Sequence, residues 1–221
     1  MSVVLYQFWR SSASWRVRWA LAIKGIEAEI VPVDIGRGEH EAEPHRARSP
    51  LGRVPALRID GRVLSESVAI IEYLEQTRPT PALYPVDPWR RARARQVVEL
   101  VNSGIQPLQI GGVKDRVSPD PAVQEAWVQH FASRGLAALE RLLADIAAET
   151  LEETGVEGPF CLGRRLSVAD LFLVPQVAHS RRSGVQLSDF PRILAAEAAA
   201  LATPGADAVR PERQPGAPSA A

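Results

Sequence analysis

The sequence predicts an α/β unit followed by an all-helical one, and three observations carry that expectation. Over roughly the first third of the chain, short apolar runs and helical periodicities alternate in the order β-α-β and then β-β-α. The segment from Arg78 to Pro88 then brings Pro79, Pro81, Pro85 and Pro88, residues that resist helix and stiffen a connection. Everything after it carries helical patterning. With 221 residues, of which 46% are hydrophobic, the chain can bury two small cores. We therefore expect one domain over 1–82 and a second over 88–221.

Each element has its own signal. "SVVLYQF" reads as a strand. "SWRVRWALAIKG" places Val17, Ala20 and Leu21 on one helical face and stops at Gly25, and "AEIVPVDI" returns to strand. A polar loop with His40 follows. "RVPALRIDGRVLSES" holds two apolar runs around Asp60-Gly61, a hairpin turn pair, and "SVAIIEYLEQT" reads as a helix. Beyond the prolines, "WRRARARQVVELVNSGI", "AVQEAWVQHFASRGLAALERLLADIAAETL", "SVADLFLVPQVAHSRR" and "FPRILAAEAAALAT" read as helices. The Pro, Ala and Ser-rich tail from about Arg210 is expected to be loosely held.

Composition narrows the function. The 26 basic and 26 acidic residues cancel, so no overall field favours a nucleic acid or a membrane, and any anion site must be local. The one cysteine, Cys161, cannot form an internal disulfide and fits a reducing compartment. "MSVVLYQFWR" lacks a charged leader, and no run of about twenty apolar residues occurs, so a soluble cytoplasmic protein is expected. No cluster has the spacing of a metal site.

The stretch "FWRSSASWRVRWAL" crowds three serines and three arginines where a strand gives way to a helix. A helix start offers unpaired N–H donors and partial positive charge, which favour an anion. Taken alone, Ser11, Ser12 and Ser14 read as caps of that helix. Together with "GRVPALRIDGRVLSESVAIIEYLEQTRPTPALYP", "GIQPLQ" and "LSVADLFLVPQV", the stretch resembles the zeta class of glutathione transferases and, within it, the maleylacetoacetate isomerases. The resemblance runs from about Val3 to "RQPGAP". It implies a thioredoxin-like N-terminal domain, an all-α C-terminal domain (the glutathione transferase fold), a glutathione site between them, and a homodimer.

The resemblance also implies roles. Ser11 is the hydroxyl that contacts the sulfur of glutathione, with Ser12 and Arg10 beside it. A thiol of pKa about 8.5 is only about 3% ionised at neutral pH, so a drop of about two units makes it mostly thiolate. Ala13 stands where the family commonly has cysteine, so cysteine-dependent behaviour should be absent. Val54 and Pro55, the latter cis in the family, pair with the peptide-like middle of glutathione. Ser67 takes the γ-glutamyl carboxylate and Glu66 the ammonium, although "SES" also reads as a cap followed by a first-turn acid. His40 matches a loop residue that reaches the glycyl end, or is a solvated surface histidine.

In the second domain, Ser167 and Asp170 form a capping box to which no chemistry is assigned. Gly104 and Pro107 should disturb the helix at Gln106 and so aim that side chain inward. By resemblance Gln106 serves the glutathione site and the substrate, and Arg182 faces the electrophile, whereas Arg181 and the cluster Arg90, Arg91, Arg93, Arg95 read as solvated. Cys161 reads as an inert core residue. The activity implied is glutathione-dependent cis–trans isomerisation of a small unsaturated dicarboxylate, maleylacetoacetate, by reversible thiolate addition, with Arg10 or Arg182 stabilising developing charge. The other readings are a maleylpyruvate isomerase, a general glutathione transferase, and a non-catalytic binding module. Gln106 and Gly112 would leave the electrophile pocket roomy and short of positive charge, which favours the longer substrate.

Overall fold

The computed structural model describes residues 2–218, which divide into two compact units. The first comprises the chain up to Leu83 together with the residues from Pro204 onward, and the second is Tyr84–Thr203.

The first unit is built on a four-stranded sheet of order β2-β1-β3-β4, formed by β1 (Val4–Gln7), β2 (Glu29–Pro32), β3 (Ala56–Ile59) and β4 (Arg62–Ser65). β1 and β2 run parallel because helix α1 (Ser12–Ile23) carries the chain back between them, and β3 and β4 are antiparallel around a tight turn. That turn holds Asp60 at φ 52° and Gly61 at φ 75°, the left-handed pair that Asp-Gly supplies. The polar loop forms a 3-10 turn (Glu39–Glu41) and a one-turn helix α2 (Glu43–Arg46); helix α3 (Ser67–Thr77) follows β4 and packs on α1. The core is Leu5, Val17, Trp19, Leu57, Ile59, Ile70, Ile71 and Leu74, all buried. Lys24 at the end of α1 meets Glu75 at 2.6 Å and the Pro81 carbonyl at 2.6 Å, while Glu75 also accepts from the Leu83 amide. This buried pair is thus satisfied on several sides, the condition under which such a pair is tolerated.

The tail departs from its expected place and looseness. Its residues belong to the first unit, Ala206, Val209 and Pro211 are buried, and Arg18 of α1 donates from Nε to the Val209 carbonyl at 3.1 Å. The same guanidinium donates to the Trp9 carbonyl at 3.2 Å and to Gln7 Oε1, so one buried cation ties the tail to the turn before the serines. Its composition suggested disorder, but the alanines and prolines are packed by long-range contacts that no local pattern encodes.

The second unit is helical. It comprises α4 (Pro88–Glu99), a π-helical turn (Leu100–Ile105), a 3-10 turn (Gln106–Gln109), α5 (Gly111–Val117), α6 (Pro121–Thr154), α7 (Val168–Arg182) and α8 (Pro191–Leu201). Helix α7 is buried along most of its length, and Asp170 stabilises its start by accepting from the Ser167 amide and hydroxyl and from the Cys161 amide. Burial raises the Asp170 carboxyl and pushes the Cys161 thiol well up, which leaves Cys161 a protonated core residue.

Two readings of surface arginines change. Arg90 meets Glu153 at 2.7 Å and the Leu162 carbonyl at 2.7 Å, and Arg93 pairs with Glu149, so both clamp α4 to α6. Arg91 and Arg95 lie over the Tyr84 ring. Arg181 is likewise engaged, donating from both terminal nitrogens to Glu197 of α8.

Candidate functional site

Sheet register gathers the expected glutathione residues of the first unit at one end. Tyr6, near the exit of β1, pairs with Ala56, the first residue of β3, and Ala56 pairs with Ser65, the last of β4. The Phe8–Ser11 turn, Val54-Pro55 and Glu66-Ser67 therefore leave the sheet side by side. β2 ends at the same edge, since Gln7 pairs with Pro32, and its continuation leads into the His40 loop. Gly52 holds that loop close: a side chain there would stand 2.9 Å from the His40 carbonyl oxygen, and its φ is +62°. Buried His45 donates from Nε2 to the Arg53 carbonyl, 2.9 Å away, and Ser49 Oγ accepts from the Arg53 amide, steadying the approach to Val54. The Val54-Pro55 bond is cis.

The serine turn has a definite geometry. Ser11 is the N-cap of α1, and its Oγ accepts from the Ser14 amide at 3.2 Å. Capping uses one acceptor site of the hydroxyl and leaves its proton to be donated, so the two readings of Ser11 coexist. Ser12 is buried in the first turn, and Arg10 is exposed with its guanidinium over the Trp9 ring. At the other helix start, Glu66 is the N-cap of α3 at φ 70°, a strained conformation for a residue with a side chain, and its side chain makes no capping hydrogen bond. The expected cap-then-acid reading of "SES" thus gives way: Glu66 occupies the cap position itself, and Ser67 is the buried first residue. No acid stands in that first turn, so its N–H groups suit a carboxylate.

Arg16 was not anticipated from the sequence. One turn beyond Ser12 on α1 and fully buried, it donates from Nη1 to Ser67 Oγ at 3.3 Å, with burial drawing its pKa down to about 9. It links the two helix starts, and an arginine inside an apolar run was the available signal.

In the helical unit the disturbance expected at Gln106 is present, with the π-helical turn passing into the 3-10 turn there. Gly135 of α6 makes room for it, because a side chain would collide with Ile105 at 2.3 Å. Gln109 accepts from Gln176 Nε2 at 3.1 Å and the Leu108 carbonyl accepts from Trp127, which fixes the turn against α7 and α6. Gln106 is half-buried. Arg182, the last residue of α7, lines a cavity of about 380 Å³ with Lys114, Gln124, Glu125 and His179, and Gln106 is not among its lining residues. Gly112 lies on α5 with nothing within 4 Å of where a side chain would start and is not among the lining residues of this cavity, to which Lys114 on the same helix adds a second cation.

The comparisons agree with this architecture. Residues 1–76 match the glutathione S-transferase N-terminal domain family. The chain is 43% identical to maleylacetoacetate isomerase of Rattus norvegicus over 98% of its length and 95% of that protein's. The holo structure of a bacterial zeta-class glutathione S-transferase, a maleyl pyruvate isomerase, superposes with a TM-score of 0.89 at 36% identity, over 97% of this chain and 99% of that one. This chain belongs to the zeta-class glutathione transferase family. A further neighbour, maleylacetoacetate isomerase from Anaeromyxobacter dehalogenans with bound dicarboxyethyl glutathione and citrate, matches at TM-score 0.85 and 38% identity, covering 99% and 94% of the two chains.

Among the described residues of this zeta-class chain, no group of three His, Cys, Asp or Glu side chains is placed to hold a metal, and no helix is long and apolar enough to cross a membrane.

Proposed function

We propose that the chain isomerises maleylacetoacetate to fumarylacetoacetate in a glutathione-dependent reaction. The observation that carries this reading is the gathering of the Ser11 turn, cis Val54-Pro55 and Glu66-Ser67 at one end of the sheet, in a chain so similar to maleylacetoacetate isomerases. The donor set fits the tripeptide: open N–H groups and a buried hydroxyl at the start of α3 for a carboxylate, exposed Glu66 for an ammonium, and a spare hydroxyl proton at Ser11 for a sulfur anion.

Bound glutathione would supply the thiolate that adds to the cis double bond and departs after rotation, so that it is not consumed. The chain's own residues hold and bias that chemistry. Ser11 donates its proton toward the sulfur, and the N-terminal positive end of α1 favours the anion, with Ser12 in the same turn. Val54 and Pro55 offer backbone groups to the peptide, with His40 and Gln106 completing the contacts. Arg10 and Arg182 bind substrate carboxylate and stabilise charge that develops on the carbonyl next to the double bond. In this reading the protein is a cytoplasmic homodimer.

The second reading, maleylpyruvate isomerisation, is favoured by one observation, the Lys114 cation in the Arg182 cavity, which supplies positive charge that Gly112 and Gln106 do not. Competing assays with both substrates decide: we expect the higher kcat/KM for maleylacetoacetate with glutathione conserved, and a tenfold preference for maleylpyruvate would reverse the assignment.

A further inference from the structure

A single side chain joins the serine turn to the end of the chain. Arg18 lies about two turns down α1 from Ser11 and is 4% exposed. Its guanidinium has only donors, and they reach three separate segments: Gln7 Oε1 at the end of β1, the Trp9 carbonyl at 3.2 Å, and the Val209 carbonyl of the C-terminal segment at 3.1 Å. A buried cation is tolerated when its donors are met, so each acceptor helps to keep the guanidinium on the others. The C-terminal segment supplies more than that carbonyl. Burial draws the Arg18 pKa down to about 9, and the negative charge of Glu212 opposes the fall. The segment also passes Trp9 a second time, at Gly216, where a side chain would start 3.8 Å from the Trp9 ring and 3.8 Å from Pro32 Cβ. Trp9 in turn carries the Arg10 guanidinium over its ring, and the Ser11 amide closes the turn by donating to the Phe8 carbonyl at 3.1 Å. The backbone that leads into Ser11 is thus fixed from one side by α1 and from the other by the end of the chain.

We propose that Arg18 is a positioning residue, which braces the Phe8–Ser11 turn against the docked C-terminal segment and so holds the Ser11 hydroxyl and the first amides of α1 where the sulfur of glutathione ionises. The proposal rests on the reading above that places this sulfur at Ser11. Arg18 acts through the backbone. With the Val209 carbonyl withdrawn, its Nε loses an acceptor inside the protein, the cation gains by turning toward water, and the Trp9 carbonyl is released with it. The thiol then keeps its ordinary acidity, although Val54, Glu66 and Ser67, the residues assigned to the rest of glutathione, are untouched. Docking of the C-terminal segment and activation of the thiol are thereby coupled.

The test follows the ultraviolet absorbance of the thiolate of bound glutathione against pH in the wild type, Arg18→Met, Arg18→Lys and Ala206→Leu, all in the full chain. Ala206 is fully buried in the C-terminal segment, so a leucine there overfills its site and lifts the segment without altering any charge or touching the turn. A lysine at position 18 keeps the charge but offers one nitrogen, which cannot meet three acceptors in as many directions. We expect the thiol pKa in the complex to rise by about one in each variant, a tenfold change in the ionisation constant. The Kd of S-methylglutathione, which has no thiol to ionise, should stay within about twofold, because its contacts lie elsewhere. Circular dichroism and hydrogen exchange of the segment identify a variant that does not fold or does not lift the segment, and the others then decide. A thiol pKa unchanged in the folded variants would overturn the brace, as would an equal loss of affinity for glutathione and S-methylglutathione. A rise in Arg18→Met alone would mean that the cation acts by its charge and not by holding the turn. If the wild type leaves the thiol of glutathione at its free pKa, the reading that places the sulfur at Ser11 fails instead.

Discussion

Arg16 donates from Nη1 to Ser67 Oγ at 3.3 Å, joining α1 to the first residue of α3. A guanidinium has only donors, so it occupies the acceptor side of the hydroxyl and leaves the serine proton to point elsewhere. With its pKa drawn down only to about 9, Arg16 is still charged at neutral pH and stands behind the proposed carboxylate site. Ser67→Ala and Arg16→Lys should each raise KM for glutathione by about tenfold. Because they act on one arrangement, the double variant should be little worse than the poorer single one. Additive losses in that cycle would mean the two residues work separately.

Ser11 carries two loads, which separate by substitution. Ser11→Ala should lower isomerase activity by at least about tenfold and also cost about 0.5–2 kcal/mol of stability, since the Ser14 amide loses its cap. Ser11→Asp keeps the cap acceptor but has no proton to give and adds negative charge beside the sulfur. Its melting temperature should stay near that of the wild type while activity is lost. An active Ser11→Asp enzyme would refute the donor role.

Hydrogen bonding from Arg93 holds the Glu149 carboxyl below its ordinary value, with Trp89 Nε1 adding a further donor at 3.2 Å. A carboxyl depressed in the folded state contributes stability that is present above its unfolded pKa and is lost as pH falls through the folded one. The stability difference between the wild type and Arg93→Gln should therefore be largest at neutral pH and shrink as the pH falls through the depressed folded-state pKa of Glu149. Thermal melts of both proteins across pH 3–7 check this. A constant gap would mean that packing of Arg93 on the Trp89 ring, not its charge, matters.

Assembly is the fourth expectation. Val63, Val86 and Trp89 are large apolar residues left exposed on the single chain, which suits burial in a two-fold partner. Sedimentation should report a species near twice 24.1 kDa, and a clean monomer at micromolar concentration would exclude the homodimer.

Much of this was legible in the chain, for physical reasons. Period-two and period-3.6 patterns located the strands and long helices, and the Asp60-Gly61 pair located the hairpin, because each is a local rule. The serine turn and "SES" were legible as helix starts. What was not legible depended on distant partners. The engagement of Arg90, Arg93 and Arg181 requires knowing which helix lies across from them. Helix α5 is short and glycine-led, with too little periodicity to register, so Lys114 went unremarked until the fold placed it in a cavity with Arg182. Arg16 was visible only as a charge in the wrong place, and the strained φ of Glu66 left no trace in composition.

The closure of the first unit by residues from Pro204 onward has a consequence for biosynthesis. Those residues leave the ribosome only after the entire helical unit has been made, so the sheet domain, though it is translated first, waits for the segment that covers Arg18. The α/β unit therefore cannot reach its final packing until the helical unit, contiguous in sequence, has been made. A nascent chain stalled before Val209 should accordingly present a more protease-sensitive N-terminal unit than one stalled after the residues from Pro204 onward have emerged.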